Sequence, residues 1–236
     1  MQKKRAILAW GLAVLLALAM PMTAGATAIG GGGGPAFGVL SLDLSELNAM
    51  LVDYGFSKLD GQVLIVGGGG FGGFEPGWNF GGFGAGGVEK SFNSATGQKA
   101  EFSIGFGGFL VEYHKPLAAD RLLFSVGSVF GGGGVTLDLL FDQPAGGENV
   151  LQKAHSTRVT RGFLAAQPQI GLQYRLNEWL SIGGGAGYLA TMSPESWKHA
   201  GMDVGGLPER LGGLTTWLKL TFGGRVEIDR FEKSKN

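Results

Sequence analysis

Cysteine is absent from the 236 residues. That excludes a disulfide framework, a thiol nucleophile and a lipid-modified N-terminal cysteine. Charge is scarce and balanced: 16% of residues are charged, 19 basic against 19 acidic. A neutral chain with scattered lysines and arginines offers no basic stripe for nucleic acid. After the first 28 residues no apolar run reaches about 18 residues, so no transmembrane helix is expected there. A mature chain that crosses a bilayer would have to cross it as a closed barrel, since only helices and closed barrels satisfy every backbone group in lipid.

The N-terminus has the parts of a secretory signal in order. Lys3, Lys4 and Arg5 precede the apolar run 6–20, Pro21 ends it, and Ala24-Gly25-Ala26 and Ala26-Thr27-Ala28 both fit a small-residue cleavage site. Residues 1–28 are read as a signal peptide and 29–236 as one β-barrel domain.

Glycine supplies 46 residues, well above an ordinary usage of about 7%. It shows no collagen period, and a hydrophobic content of 44% with 16 phenylalanines argues against disorder. The pattern around 170–192 organises the rest. Ile170, Leu172, Tyr174 and Leu176 alternate with Gly171, Gln173 and Arg175. Asn177 and Glu178 make a turn. Leu180, Ile182, Ala186, Tyr188 and Ala190 then alternate with Ser181, Gly183, Gly185 and Gly187. Period-2 alternation marks strands with one apolar face. Tyr174, Trp179 and Tyr188 fall near the arm ends, where interfacial aromatics belong.

Similar strands are expected at 62–70, 78–88, 99–113, 122–140 and 214–227, about eight in all. The 122–140 stretch reads as one strand or as a pair bent at Gly131–Gly134. In 214–227, Lys219 and Arg225 share the face opposite the apolar one. Short turns at 114–120 and 177–178 alternate with long loops at 141–160 and 193–211, the asymmetry of a membrane barrel. Residues 29–35, IGGGGGP, read as a flexible leader. One helix is expected near 43–54. Asp43 or Ser45 caps it, Leu44, Leu47, Leu51 and Tyr54 form its stripe, and Gly55 stops it. It is expected to pack on one end of the barrel, the sharper reading being a helix that plugs the lumen or lies on the membrane surface.

The hairpin residues 171–176 and 183–188, with the paired glycine-rich strands of 47–87, resemble small outer-membrane β-barrel proteins of diderm bacteria, of the glycine-rich envelope type without an assigned activity. The resemblance implies an outer-membrane location, contact with outer-membrane lipid and insertion by the barrel-assembly machinery. Such barrels end on an aromatic residue; here Phe231 is followed by residues 232–236.

Signals for chemistry are thin. Gly67, Gly69 and Gly72 fit G-x-G-x-x-G, but a turn follows where a dinucleotide site needs a helix. His114, His155 and His199 have no partner at metal spacing and are read as solvated loop residues. Asp138 and Asp142 do not form a pair, and Ser125, Ser128 and Ser181 lack a base at a recognisable spacing. In the long loops only His155, Glu195, His199 and Asp203 carry reactive groups. No catalytic, cofactor-binding or metal residue is assigned, no cofactor is expected, and the chain is read as a non-enzyme. The fold class is therefore all-β: an antiparallel transmembrane-type barrel of about eight strands with one short N-terminal helix. Its role is structural or interactive and it is not an open pore, since an eight-stranded barrel is just filled by its own side chains. The alternative is a secreted or periplasmic soluble barrel or sandwich holding a small apolar ligand. Which face of the strands is apolar decides between them.

Overall fold

The computed structural model describes residues 28–117, 121–141, 155–208 and 211–227. The signal peptide read at 1–28 lies outside them except for Ala28, as do Asp142 and the tail 228–236. The strands are β1 (Ala28–Leu42), β2 (Gln62–Glu75), β3 (Gly77–Phe92), β4 (Lys99–Pro116), β5 (Leu122–Phe141), β6 (His155–Arg175), β7 (Leu180–Met192), β8 (Trp197–His199), β9 (Met202–Val204) and β10 (Gly213–Glu227). One helix, α1 (Ser45–Asp53), joins β1 to β2.

Each long strand pairs antiparallel with its neighbours in the order β1-β2-β3-β4-β5-β6-β7-β10, and β10 returns to β1. The wall is a closed eight-stranded barrel. The short β8–β9 ribbon hangs from β6 through the Thr160–Lys198 pair. The residues read as one strand or a bent pair, 122–140, form one continuous strand.

The glycine leader is a correction. Residues 29–35 lie in β1, and Gly31 pairs with Gly72 of β2 on one side and Gly224 of β10 on the other. A ladder of backbone hydrogen bonds needs no side chains. A segment with a partner on both edges is therefore held by main-chain bonds that composition does not reveal. Several inward-facing positions also admit only glycine. A Cβ on Gly81 would lie 1.9 Å from Gly70 O, and one on Gly223 would lie 2.0 Å from Gly31 O. Outward-facing Gly105, by contrast, has nothing within 4 Å of where its Cβ would stand.

The barrel has two unlike ends. The tight connections 76 and 176–179 share one end with the start of β1 and the close of β10. At the other end lie α1, the turn 93–98 and the segment 193–208 that carries β8 and β9. This second end is closed. Leu47 and Leu51 of α1 are fully buried against inward-facing Leu40, Val63, Phe102 and Leu137. Burying such a leucine contributes about 1.5–3 kcal/mol. Asp43 accepts hydrogen bonds from the Ser45 amide (3.1 Å) and hydroxyl (2.6 Å), and these donors hold its carboxyl below the usual carboxylate range. Gly55, at φ +85°, ends the helix. Its N–H donates to Val52 O and that of Phe56 to Leu51 O, the paired bonds of a Schellman stop. Asn48 then ties the return chain down by exchanging two 2.8 Å bonds with Leu59.

The apolar faces of β6, β7 and β10 point outward: Ile170, Leu172, Tyr174, Ile182, Tyr188, Leu214, Leu218 and Phe222 are all exposed. β4 is different. Its Phe102, Ile104, Phe106 and Leu110 are buried inside, beneath α1. The outward face of every wall strand nevertheless carries no charged residue over a long stretch, for example 64–74 of β2 and 103–113 of β4. At roughly 3.3 Å per residue and a tilt near 40°, 64–74 rises about 25 Å along the axis. At the loop end this belt stops at one cross-strand row of outward charges, Lys90, Glu101, Asp138 and Arg158. Lys90 reaches Glu101 at 3.0 Å and Arg158 grips Asp138 with two bonds. At the turn end aromatics gather, with Trp78 edge-on to Tyr113 and Trp179 stacked on Phe222.

The glycine contrast is testable. Gly81→Ala is expected to abolish or strongly reduce refolding into a compact barrel, measured as the boiling-dependent shift on a gel. Gly105→Ala should leave that shift intact and raise stability by about 0.4–1 kcal/mol.

Candidate functional site

Along the lumen the inward residues change character. Toward the loop end they are mostly apolar and packed on α1, apart from Glu89, which accepts from the Gly61 amide, and Arg161, which donates to Pro208 O. Toward the turn end they are polar and charged, and an open basin of about 460 Å³ lies among Glu75, Asn79, His114, Arg175, Thr221 and Arg225. Period 2 places them there. On β4, Glu112 and His114 continue the inward parity of Phe106 and Leu110. On β6, Gln167, Gln169, Gln173 and Arg175 share the parity of Gly171. On β10, Lys219 and Arg225 do the same with Trp217.

Two storeys of contacts organise this half. At the mouth Glu75, 7% exposed, accepts hydrogen bonds from Arg175 Nη2 and from Arg225 Nη1, the latter at 3.1 Å. The carboxylate thereby joins three strands, β2, β6 and β10, across the basin. Asn79 closes the turn beside it by donating to Phe74 O (3.0 Å) and Gly77 O (3.2 Å). Deeper in, Glu112 Oε1 accepts from Gln169 Nε2 at 2.9 Å, and Glu112 Oε2 lies 3.2 Å from His114 Nε2. His114 meets the Phe71 ring edge-on at 4.9 Å between centroids, and the Lys219 ammonium lies over the same ring at 4.9 Å. Gln167 Nε2 donates to Thr215 Oγ1 at 3.1 Å. Among the described residues, Gln167 Oε1 and Trp217 Nε1 are buried without a hydrogen-bond partner in the protein. A small partly open cavity of about 30 Å³ lies among Glu112, Lys219 and Trp217. That is the size of a site for a single water.

The residues weighed from sequence are not brought together. His114, expected in a solvated turn, is 4% exposed in β4; this is a correction. Its place at the strand's end made it resemble a turn residue, and only the inward parity after Leu110 pointed to the lumen. Ser125 pairs with His114 across β4 and β5, but no hydrogen bond joins them, and a nucleophile and its base need one. Ser181 lines the basin, and Ser128 points outward. Asp138 is held by Arg158 on the outer wall. In the 193–208 segment, Glu195 pairs with Lys198 at 2.8 Å, and His199 Nδ1 lies 2.9 Å from Arg158 O. His155 opens β6, and Asp203 sits on β9. Gly67, Gly69 and Gly72 are strand residues of β2 with no helix after them. Among the described residues no group of three His, Cys, Asp or Glu could hold a metal.

The arrangement defines a class: a closed eight-stranded antiparallel barrel, plugged at its loop end and holding a charged, hydrogen-bonded basin at its turn end. No protein-family model matches the chain, and no curated protein sequence does. Among solved structures it is similar to Ail, the attachment invasion locus protein of Yersinia pestis. The crystal structure of Ail with the heparin analogue sucrose octasulfate superposes with a TM-score of 0.44 at 12% identity, covering 84% of this chain and 99% of that one. A second crystal structure of Ail gives a TM-score of 0.40 at the same identity and coverage. No residue role is carried over from either.

Glu75→Gln should lower the unfolding free energy by about 1.5–3 kcal/mol, the usual loss for a hydrogen bond to a charged group. Glu227→Gln, at the exposed rim and 3.9 Å from Arg225, should change it by at most about 1 kcal/mol. Urea unfolding followed by tryptophan fluorescence measures both.

Proposed function

We propose that this chain is an outer-membrane β-barrel with a structural or interaction role and that it does not conduct. The observation that carries this reading is the outer wall. All eight strands present an uncharged outward face about 25 Å tall, bounded by aromatics at one end and, across β3 to β6, by a charged row at the other, which matches the apolar band of a membrane barrel. The filled lumen supports the second half of the proposal. Leu47 and Leu51 plug one end, and the Glu75 and Glu112 networks cross the other, so no continuous water path is expected.

In this reading the export signal lies within residues 1–28 and the barrel-assembly machinery inserts the mature chain. Cleavage after Ala26 would leave β1 whole from Ala28. The short-turn end would face the periplasm, and the end bearing α1 and the β8–β9 ribbon would face outward. The soluble alternative draws on β4, whose apolar face points inward as in a ligand-holding barrel. That space is occupied by Leu44, Leu47 and Leu51 of the chain itself, which favours the membrane reading.

Membrane fractionation followed by gel mobility with and without boiling tests the location. Outer-membrane recovery with a boiling-dependent shift is expected, and recovery in the soluble periplasmic fraction would overturn the reading. Planar-bilayer recordings should show no steady conductance from the purified barrel. Leu218, 64% exposed near the middle of β10, gives a sharper probe. Leu218→Arg should cost about 2–4 kcal/mol in a bilayer and reduce the boiling-resistant fraction in membranes.

A further inference from the structure

The outer wall is not uniformly convex. A groove of about 440 Å³ crosses it, with Val111 of β4, Ser128 of β5, Pro168 of β6 and Tyr188 of β7 along its course and Trp78 and Leu214 at its ends. Val111 pairs with Ser128, and Ser128 with Pro168, so the groove follows one cross-strand row. Its course from β4 to β7 is about 14 Å at roughly 4.8 Å per strand. Ser128 points outward yet is only 6% exposed, so the larger side chains around it stand above it as walls. The β6–β7 ladder is interrupted at the same place. Pairing runs to Gln169–Gly187 and resumes at Ala166–Ala190, leaving out Pro168, which has no N–H to give.

From these features, and resting on the membrane reading above, we infer that the groove holds one acyl chain of a bilayer lipid. The groove lies within the uncharged belt, reaching Trp78 of the turn-end aromatics at one end and stopping short of the Lys90–Arg158 row. At that depth hydrocarbon chains are the surrounding solvent, and the groove is continuous with the surface they cover. Its lining is apolar apart from the hydroxyls of Ser128 and Tyr188 and the Gln169 strand edge. Its volume of about 440 Å³ is no more than about one turn of a helix with its side chains would fill, so it suits a single hydrocarbon chain rather than a helix or a second barrel. A chain seated there gains contacts on three sides, whereas one against the convex wall gains them on one.

The test uses the mature protein reconstituted in phosphatidylethanolamine–phosphatidylglycerol vesicles, extracted in a neutral detergent and weighed by native mass spectrometry. The wild type is expected to retain one phospholipid per barrel. Filling the groove with Ser128→Phe or Ala186→Leu should lower the lipid-bound fraction about tenfold. Gly105→Leu, which adds apolar bulk to the outer wall elsewhere, should leave that fraction unchanged. Each variant is first checked for the boiling-dependent shift, and Ser128→Val replaces a variant that fails it. Absence of retained lipid in the wild type would overturn the inference, as would equal loss in Gly105→Leu or a retained second protein copy in place of lipid. A wild type with no boiling shift and soluble recovery would overturn the membrane reading itself and the groove assignment with it. The gel shift therefore separates the two failures.

Discussion

Everything in this protein depends on the β1–β10 pairing that closes the wall. Without it the sheet would have two long edges, each a row of unpaired N–H and C=O groups. With it, each long strand has a partner on both sides and the wall can face a medium that offers no hydrogen bonds. The closing strand has almost no side chains where it matters most. Residues 30–34 are all glycine, and they lie between β2 and β10 with glycines opposite several of them. The main chain alone makes this junction, and the missing side chains let the strands approach within the small circumference of an eight-stranded barrel.

That small circumference also governs the lumen. There is space for side chains or for a plug, but not for both at every level. At the loop end the strands contribute Leu40, Val63, Phe102 and Leu137, and α1 adds Leu47 and Leu51 to complete a dry core. At the turn end charged groups replace them. There Glu75, Arg175 and Arg225 satisfy one another across three strands, and Glu112, His114 and Gln169 do so one level deeper. Leaving one member of such a buried set alone is costly, so the polar half also helps to fix strand register.

Much of the barrel was legible in the sequence. The β6–β7 hairpin, the opposed faces of β10, the placement of Lys219 and Arg225 and the helix with its Gly55 stop all follow from spacing. Four things were not. Residues 155–160 read as the end of a polar loop, and they are the first residues of β6, paired with β5. Residues 29–35 read as a flexible leader because a glycine run carries no periodicity, and only partners on both edges make it a strand. His114 read as a turn residue because a polar residue at the end of an apolar run looks the same whether it leaves the sheet or enters a lumen. The inward turn of β4's apolar face was hidden for a related reason: alternation separates two faces but does not say which is inside.

What the sequence by itself determined was local and periodic: which residues share a face, where turns and the helix stop fall, and that disulfides and thiol chemistry are excluded. Only the tertiary structure decided which face looks inward, because that depends on the sign of curvature of the whole closed sheet and on what fills its centre. The same holds for Glu75, Arg175 and Arg225, which sit 100 and 150 residues apart in the chain. No local rule joins them; closing the cylinder does.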